Sequence, residues 1–440
     1  MSRRTGISRR AVLAGSAAAA FGSFVVLPRR VWGANERLNV ASVGVGGMGS
    51  NDIRQVGATE NVVALCDVDA NNLARSAERF PAAKTHRDFR TMFDAQKDID
   101  AVMIGTPDHA HAAVTMMALK RGKHVFCQKP LTRTVHEAIE IGRAAQAAGV
   151  ATQMGNQGQA SEGARLVCEF IWDGAIGPVR EVHSWSNRRP DISPRGIPRP
   201  KDTPPVPSHL DWDLWLGPAP VRPYHPCYHP FAWRGWWDFG TGVLGDIGCH
   251  NLSAAFKALK LKWPVSVEAC STHWNAPPEV RDETAPAASI VTFRFAAEGE
   301  RPEIVLRWYD GGMMPPQPLG LDVGRNIFEN DGTLIVGDQG MLLGHRLLPE
   351  ARNQEYGRPP QVLPRSPGHY QEWIDACKGG SPAGSNFPDH AAHLAAVVLM
   401  GNIAIRTQEK LLWDAGQLKF SNSDAANQLL NPPYRDGWSL

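Results

Sequence analysis

Short apolar runs alternate with amphipathic segments along the chain from residue 38 to residue 154. The apolar runs are typical of buried parallel strands: Leu38–Val43, Val62–Cys66, Ala101–Ile104, Val125–Cys127 and Ala151–Met154. The segments between them have helical spacing: Met48–Val56, Ala70–Arg79, His109–Arg121 and Val135–Ala148. Thr134 and Glu137 form a capping-box pattern at the start of the last of these. This alternation predicts an α/β fold with a doubly wound parallel sheet over residues 35–155.

Beyond residue 156 the pattern changes. After one helical segment, Glu162–Trp172, strand-like runs follow one another with few helices between them: Val179–Trp185, Val265–His273, Ser289–Phe295, Ile304–Tyr309 and Thr333–Val336. This predicts an α+β domain over residues 156–440 with a largely antiparallel sheet. Helical patterns return at His369–Lys378 and His390–Ile405, and the last thirty residues predict an extended tail that packs back on the body. The loop at residues 190–240 is rich in proline and tryptophan, and its length indicates that it has a function.

The start of the chain predicts an export signal. Arg9 and Arg10 precede an uncharged run to Leu27 that is short for a membrane span, and small residues follow near Gly33. The pattern is typical of a twin-arginine (Tat) signal peptide over residues 1–34, so we expect export through the Tat machinery to the periplasm. Because free nicotinamide cofactor is scarce there, we expect any such cofactor to be bound before export and carried with the protein.

The composition narrows the class of partner. The chain has 46 basic and 44 acidic residues and a formal charge of +2, so nothing indicates a nucleic-acid partner. Its seven cysteines include no Cys-x-x-Cys pair, which favours reduced, mostly buried thiols. His225, Cys227 and His229 have no fourth ligand nearby, so we expect no metal site. No later apolar run is long enough for a stable membrane span.

A glycine-rich turn follows the first predicted strand, with the sequence Gly44-Val45-Gly46-Gly47-Met48-Gly49. Such a turn between a strand and a helix lets the backbone approach a dinucleotide pyrophosphate. Asp67 ends the next strand, where a carboxylate accepts hydrogen bonds from the adenosine ribose and repels a 2′-phosphate. We therefore predict a site for NAD rather than NADP at Asp67 and the turn, with an ordinary glycine turn as the alternative.

Two more loops lie at the carboxyl edge of the predicted sheet, where a nicotinamide would cross it. Thr106 and Pro107 follow one strand, with His111 in the next helix, and Lys129 and Pro130 follow another strand. We count all five among the cofactor-binding candidates. An ammonium at Lys129 is also placed to hydrogen-bond a substrate hydroxyl. The alternatives are that His111 only packs against its neighbours and that Lys129 is an ordinary exposed loop residue.

The second domain contributes a candidate proton-transfer pair. Asp246 and His250 lie four residues apart, so on a helix they share one face. The alternative is a capping aspartate with a structural histidine. The tryptophans of the 190–240 loop favour either stacking on a sugar or a core that holds the loop together. The candidate substrate-binding residues are Asn156, Trp233, Trp236 and Trp237.

In combination, these motifs resemble the Gfo/Idh/MocA family, whose name joins glucose-fructose oxidoreductase, inositol dehydrogenase and a rhizopine-catabolism protein. The resemblance rests on the glycine turn, Cys66-Asp67, Thr106-Pro107, the run from Gly122 to Leu131, and the Asp246 and His250 pair. It implies an N-terminal Rossmann domain, a C-terminal domain with a large open sheet, and an active site between them. It also implies a homo-oligomer, a dimer or a tetramer, built through that sheet.

The resemblance also implies roles for the candidate catalytic residues. Lys129 would stabilise the alkoxide of the hydroxyl being oxidised, and His250 would accept its proton. Asp246 would orient His250 or bind a neighbouring hydroxyl. Gln128 departs from the family pattern, which has glutamate at this position, and removes a negative charge beside Lys129.

Taken together, the sequence predicts an exported NAD-dependent oxidoreductase of carbohydrates or polyols, with a tightly bound cofactor that is recycled within the catalytic cycle. Either a second sugar reoxidises the cofactor, or one substrate is oxidised, altered and reduced again. The second route resembles that of glycoside hydrolase family 109, which combines oxidation, elimination, hydration and reduction. A non-catalytic sugar-binding protein is the alternative from another class.

Overall fold

Two β-sheets organise the computed structural model of the chain. Within the residues that it describes, one sheet has six strands between residues 39 and 154 and the other has nine strands between residues 179 and 420. The predicted signal peptide lies outside the described residues, as do positions 190–194 of the predicted loop. The structure describes residues 36–188, 195–318, 320–322, 326–327 and 330–440.

The first sheet is parallel throughout. Its strands are β1 (Asn39–Val43), β2 (Asn61–Cys66), β3 (Lys84–His86), β4 (Ala101–Ile104), β5 (His124–Cys127) and β6 (Thr152–Met154). Its helices are α1 (Gly47–Val56), α2 (Ala70–Arg79), α3 (Phe89–Ala95), α4 (Asp108–Lys120) and α5 (Val135–Ala148). The order β3-β2-β1-β4-β5-β6 confirms the predicted doubly wound sheet. The pattern missed β3 because this short edge strand contains no apolar residue, and it missed α3 as well.

The second sheet is mixed and mainly antiparallel. Its strands are β7 (Val179–Trp185), β8 (Ser266–Ser271), β9 (Ser289–Phe295), β10 (Ile304–Asp310), β11 (Gly332–Gly337), β12 (Gly340–Leu343), β13 (Arg346–Leu348), β14 (Leu411–Asp414) and β15 (Lys419–Phe420). They lie in the order β13-β12-β11-β7-β10-β9-β8-β14-β15. Among the described strands, β7 and β10 form a parallel pair and the other neighbours are antiparallel. The predicted fold class of this domain is confirmed.

Helices join this second sheet to the first domain. The described ones are α6 (Glu162–Trp172), α7 (Trp212–Leu216), α8 (Gly242–Asn251), α9 (Ser253–Leu259), α10 (Pro278–Arg281), α11 (Glu350–Tyr356), α12 (His369–Cys377), α13 (Ala392–Thr407) and α14 (Asp424–Leu430). Most of α13 is buried, because it packs on α5 of the first domain and on α8, β8 and β9 of the second. Its residues belong to one hydrophobic core that extends through both domains.

The end of the chain is more regular than an extended tail. Residues 411–430 form β14, β15 and α14, and residues 431–440 have no helix or strand. The sequence pattern did not predict these elements because each is too short to show a clear periodicity. The final ten residues still pack back on the body, as described below.

The aromatic loop, which we define as residues 195–240, has a small hydrophobic core of its own. Five aromatic side chains are buried in that core: Trp215, Tyr228, Trp233, Trp236 and Phe239. Backbone hydrogen bonds attach the loop to the first domain, since the Ala70 N–H donates to the His209 carbonyl (2.8 Å) and the Asp211 N–H donates to the Val68 carbonyl (3.0 Å). The loop therefore lies over the carboxyl end of β2.

The seven cysteines are free thiols in the structure. Cys270 is exposed and Cys227 is partly buried, and the other five are buried. Burial raises the pKa of Cys249, next to the candidate proton-transfer pair, to about 12. This distribution matches the predicted use of cysteine as a small core residue.

The capping box of α5 makes a measurable contribution to stability. The Glu137 N–H donates to Thr134 Oγ1 (3.2 Å), and the Thr134 N–H donates to Glu137 Oε2 (2.9 Å), as predicted. We expect Thr134→Ala to lower the free energy of unfolding by about 1 kcal/mol, because it leaves a helix N–H without its acceptor. Urea denaturation measures this effect, and Thr203→Ala, at an exposed loop position, is the control. An equal loss in both variants would contradict the assignment.

Candidate active site

The glycine turn between β1 and α1 is packed too closely to hold larger residues. Gly44 has a φ of +78°, and a Cβ on Gly49 would lie 1.9 Å from the Gly44 carbonyl oxygen. α1 begins at Gly47, and its N-cap residue, Gly46, has no side chain to cap the helix. The first N–H groups of α1 are therefore available to an anionic ligand group. Met48 lies beside them at the wall of a cavity.

Asp67 closes this turn from the end of β2. Its Oδ2 accepts a hydrogen bond from the Val45 N–H and its Oδ1 accepts one from the Asp69 N–H, both at 2.8 Å. Burial outweighs these bonds and raises the pKa of the Asp67 carboxyl to about 6. The two bonds hold the carboxylate in one orientation at the cavity wall, and each oxygen keeps a second acceptor position for a ribose hydroxyl.

A cavity of about 430 Å³ lies between this turn and the aromatic loop. Thr106, Pro107 and Lys129 line it from the first domain, at the carboxyl ends of β4 and β5. The aromatic loop contributes Trp215, His229, Phe231, Trp233 and Arg234. The Thr106 hydroxyl is buried and has no hydrogen-bond partner in the described structure, which suits a wall that receives a polar ligand group. Together with the glycine turn and Asp67, this wall fits a dinucleotide.

Lys129 forms an ion pair with Asp246 across the two domains. The Arg234 Nε lies 3.6 Å from the same carboxylate oxygen, Asp246 Oδ1. Burial alone would raise the pKa of Asp246, but the charges of Lys129 and Arg234 outweigh it and lower that pKa to about 2. The Asp246 carboxylate is therefore ionised near neutral pH and holds the Lys129 ammonium at the wall of the cavity.

His250 lies one turn after Asp246 on α8. Burial, with the nearby Lys129 charge, lowers the pKa of His250 to about 3, so the imidazole is neutral at pH 7 and able to accept a proton. Within the described residues, Asp246 contacts Lys129 and Arg234 but not the His250 ring, so the expected orienting contact is absent. His250 lines a neighbouring cavity of about 200 Å³, whose wall also carries Gln159.

Asp108 is a site residue that the sequence analysis missed. It starts α4 and lines the cavity, and its Oδ2 accepts a hydrogen bond from the Thr241 hydroxyl at 2.8 Å. Burial raises the pKa of Asp108 to about 7 despite that bond and the nearby Arg234 charge. The available signal was its position directly after Thr106 and Pro107, at the carboxyl edge of the sheet.

Gln128, the departure from the family pattern, is explained by a buried carboxylate. Its Nε2 donates to Asp52 Oδ2 at 2.7 Å, and the Tyr370 hydroxyl donates to Asp52 Oδ1 at 2.7 Å. Burial raises the pKa of Asp52 to about 6 against both bonds. A glutamate at position 128 would place a second carboxylate against Asp52, whereas the Gln128 amide donates a hydrogen bond to it.

The structure places His111 behind the cavity wall. Its Nδ1 lies 2.8 Å from the Pro130 carbonyl oxygen and its Nε2 lies 2.8 Å from the Thr106 carbonyl oxygen. Burial acts to lower the pKa of His111, but Cys127 and the two carbonyl groups outweigh it and raise that pKa. Because each ring nitrogen faces one carbonyl oxygen, the His111 ring connects the two loops that carry Thr106 and Lys129.

The predicted substrate-binding residues are divided between the cavity and the core. Trp233 lines the cavity, and its ring centroid is 4.2 Å from the Arg234 guanidinium carbon. Trp236 and Trp237 are buried, and the structure does not bring them to the cavity. Asn156 is also buried, and its Nδ2 donates to the Cys249 carbonyl (3.3 Å) and to Ser253 Oγ (3.0 Å) at the base of α8.

The described residues contain neither a candidate metal site nor a candidate membrane-spanning helix. No group of His, Cys, Asp or Glu side chains in them is arranged to hold a metal ion. None of their helices combines the length and the apolar character that crossing a membrane requires.

Comparisons with known proteins match both domains. Residues 38–156 match the family model described as an oxidoreductase family with an NAD-binding Rossmann fold. Residues 199–282 match the model for the C-terminal alpha/beta domain of an oxidoreductase family. The first domain is therefore an NAD-binding Rossmann domain. Lys129 lies in the first matched range, and Asp246 and His250 lie in the second.

Curated relatives match about a third of the chain. Inositol 2-dehydrogenase of Salmonella typhimurium is 31% identical over 33% of this chain and 45% of its own length. The 2,7-anhydro-N-acetylneuraminate hydratase of Escherichia coli is 26% identical over 36% of this chain and 42% of its own length. The alignments thus span less than half of either relative.

Solved structures share the whole fold. The WlbA dehydrogenase of Bordetella pertussis, in complex with NADH and UDP-GlcNAcA, is 16% identical with a TM-score of 0.59, over 86% of this chain and 99% of that one. Levoglucosan dehydrogenase in complex with NADH is 20% identical with a TM-score of 0.56, over 85% and 97%. At these identities the likeness establishes the arrangement of the two domains.

The contact between Gln128 and Asp52 predicts that replacing Gln128 with glutamate, the residue of the family pattern, lowers the free energy of unfolding by an amount that depends on pH. Gln128→Glu places two carboxyl groups together in a buried site, which raises their pKa values in the folded state. A carboxyl group whose pKa is higher in the folded state than in the unfolded state makes folding less favourable as the pH rises above its unfolded-state pKa. We therefore expect a small loss of stability at pH 5 and a loss on the order of 1–3 kcal/mol at pH 8.

Urea denaturation at both pH values measures this loss, and the chain offers a matched control. On the surface, Gln371 Nε2 donates to Asp375 Oδ1, also at 2.7 Å. Gln371→Glu creates the same pair of carboxylates in solvent, so its cost should be small at both pH values. A pH-independent loss in Gln128→Glu would show that the shape of the side chain matters there and not its charge.

Proposed function

Because the chain belongs to the Gfo/Idh/MocA oxidoreductase family, we propose that it oxidises a hydroxyl group of a carbohydrate or polyol, with NAD held in the cavity between the domains. The observation that carries this proposal is a set of three residues that extends from this cavity, which Lys129 lines, to the neighbouring one, which His250 lines. Lys129 from the Rossmann domain contacts Asp246 from the second domain, and the neutral imidazole of His250 lies one turn further along α8.

Each of these groups has a distinct part in the reaction. The Lys129 ammonium donates a hydrogen bond to the substrate oxygen and stabilises the negative charge that develops on it. His250, which is neutral near pH 7, accepts the hydroxyl proton as the alkoxide forms. Asp246 holds the ammonium in position. When bound, NAD supplies the hydride acceptor at nicotinamide C4.

The substrate class is supported by the walls near His250. The neighbouring cavity carries uncharged hydrogen-bonding side chains, which suit a neutral ligand with many hydroxyl groups: Gln159, Ser161, Asn251, Ser253 and Thr333. Inositol and levoglucosan dehydrogenases among the similar proteins are named for substrates of this kind. Charged sugars such as uronates fit these walls less well, because no Lys or Arg of the described chain lines that cavity.

Export with a bound, recycled cofactor is part of the same proposal. The paired arginines at the start of the chain support a Tat route to the periplasm, and the aromatic loop that covers the cavity supports slow release of the nucleotide. An assembly of two or four copies through the nine-stranded sheet follows from the family resemblance. Near-equimolar NAD(H) released when the purified, exported protein is denatured would support a carried cofactor, whereas an empty protein would contradict it.

Lys129→Ala tests the chemistry. We expect oxidation of a polyol substrate, found by screening for reduction of the bound cofactor, to fall by about 100-fold or more in kcat, because the developing alkoxide loses its cation. NAD binding should change little. Lys123→Ala, at the opposite edge of the same sheet, is the control and should keep full activity. A Lys129→Ala variant with unchanged kcat would remove the basis of the proposal.

A second candidate function is a redox-assisted elimination and hydration with no net oxidation. It is favoured by the hydratases among the relatives and by Asp108, a cavity group whose pKa of about 7 suits proton transfer in either direction. Cleavage of an aryl glycoside without added NAD, with solvent deuterium at C2 of the product, would identify this route. Product without deuterium would exclude the elimination.

A further inference from the structure

The terminal segment, residues 431–440, is attached to the aromatic loop. The Arg435 guanidinium donates to the Asp213 carboxylate (2.6 Å), to the Asp213 carbonyl (2.8 Å) and to the Gly217 carbonyl (2.5 Å). The Trp438 N–H donates to the Arg435 carbonyl at 3.2 Å. These bonds fix the position of Trp438, although the segment itself has no helix or strand.

Trp438 lies at the wall of the cavity between the domains. Its ring centroid is 4.7 Å from the guanidinium carbon of Arg90 and 6.0 Å from the ring centroid of Phe89, at the start of α3. Trp438, Phe89 and Arg87 all line the cavity, and Trp438 is only partly buried. Part of the Trp438 ring therefore faces this end of the cavity, and the guanidinium groups of Arg90 and Arg435 lie over the ring, 4.7 and 5.9 Å from its centroid.

The strand order identifies which end this is. Lys129 follows β5, the glycine turn follows β1 and Asp67 follows β2, so a dinucleotide would extend across the sheet from β5 towards β2. The next strand outward is β3, and Arg87 and Phe89 follow it directly. The part of the nucleotide beyond the ribose at Asp67 is the adenine base.

We propose that Trp438 forms the outer wall of the adenine site and that the terminal segment is a clasp that retains the cofactor. This inference rests on the proposed use of NAD in the cavity. It assigns a cofactor contact to a residue that lies outside both ranges matched by the family models. Aromatic rings and guanidinium groups both stack favourably on a base, so Trp438 and Arg87 are chemically suited to this site.

The clasp predicts a selective effect on the adenine half of the cofactor. Loss of one aromatic stacking surface should weaken the binding of NAD and of ADP-ribose about 10- to 100-fold in Trp438→Ala. Trp438→Phe keeps a smaller ring and should lose less. Binding of nicotinamide mononucleotide, which lacks the adenosine, should stay at the wild-type level in both variants.

The experiment measures dissociation of NADH from the loaded protein, chased with excess NAD, and equilibrium binding of ADP-ribose and nicotinamide mononucleotide by calorimetry. Arg435→Gln, which loosens the clasp without removing the ring, should also speed release of NADH. Trp274→Ala is the matched control, since Trp274 is 75% exposed on a turn of the second domain away from the cavity. It should release NADH at the wild-type rate.

The outcomes separate this inference from the proposed function. Faster NADH release and weaker ADP-ribose binding in Trp438→Ala, with mononucleotide binding retained, support the clasp. Wild-type ADP-ribose binding in that variant, or an equal loss for the mononucleotide, overturns it while leaving NAD use intact. A wild-type protein that binds neither NAD nor ADP-ribose overturns both proposals.

Discussion

The ion pair between Lys129 and Asp246 is the contact on which the site depends. It joins the carboxyl end of β5 in one domain to α8 in the other, and both side chains are largely withdrawn from solvent. Two charges buried in this way lose most of their hydration, so removal of either partner would leave the other charge uncompensated. The pair therefore links the two domains beside the cavity. The low pKa values of Asp246 and His250 both include the influence of the Lys129 charge.

Much of the architecture could be predicted because its signals are local. A parallel strand buried on both faces is mainly apolar, so β1 and β4 were visible in the sequence. β3 was not, because an edge strand pairs on one side and tolerates Lys84-Thr85-His86. The sequence also could not show that the last ten residues bind the aromatic loop, since the bonds of Arg435 join positions more than two hundred residues apart.

The candidate site shows the same division. The glycine turn, Asp67 and Lys129 follow strands directly, so their shared edge could be inferred from topology alone. The partner of Gln128 could not, because Asp52 lies on α1 and is brought to Gln128 only by the packing of that helix. The sequence did not distinguish Trp236 and Trp237 from Trp233. Only the folded loop shows that Trp233 lines the cavity and that the other two rings are buried away from it.

The position of α13 has a mechanical consequence. Because this helix is buried between α5 and α8, the two domains share one continuous core in place of a separable interface. A hinge motion that opened the cleft would have to expose part of that core, which is costly, whereas the buried hydrophobic residues of the aromatic loop other than Trp237 belong to a separate small core. Entry and exit of ligands should therefore depend on movements of the loop, and the two domains should unfold together in one cooperative transition.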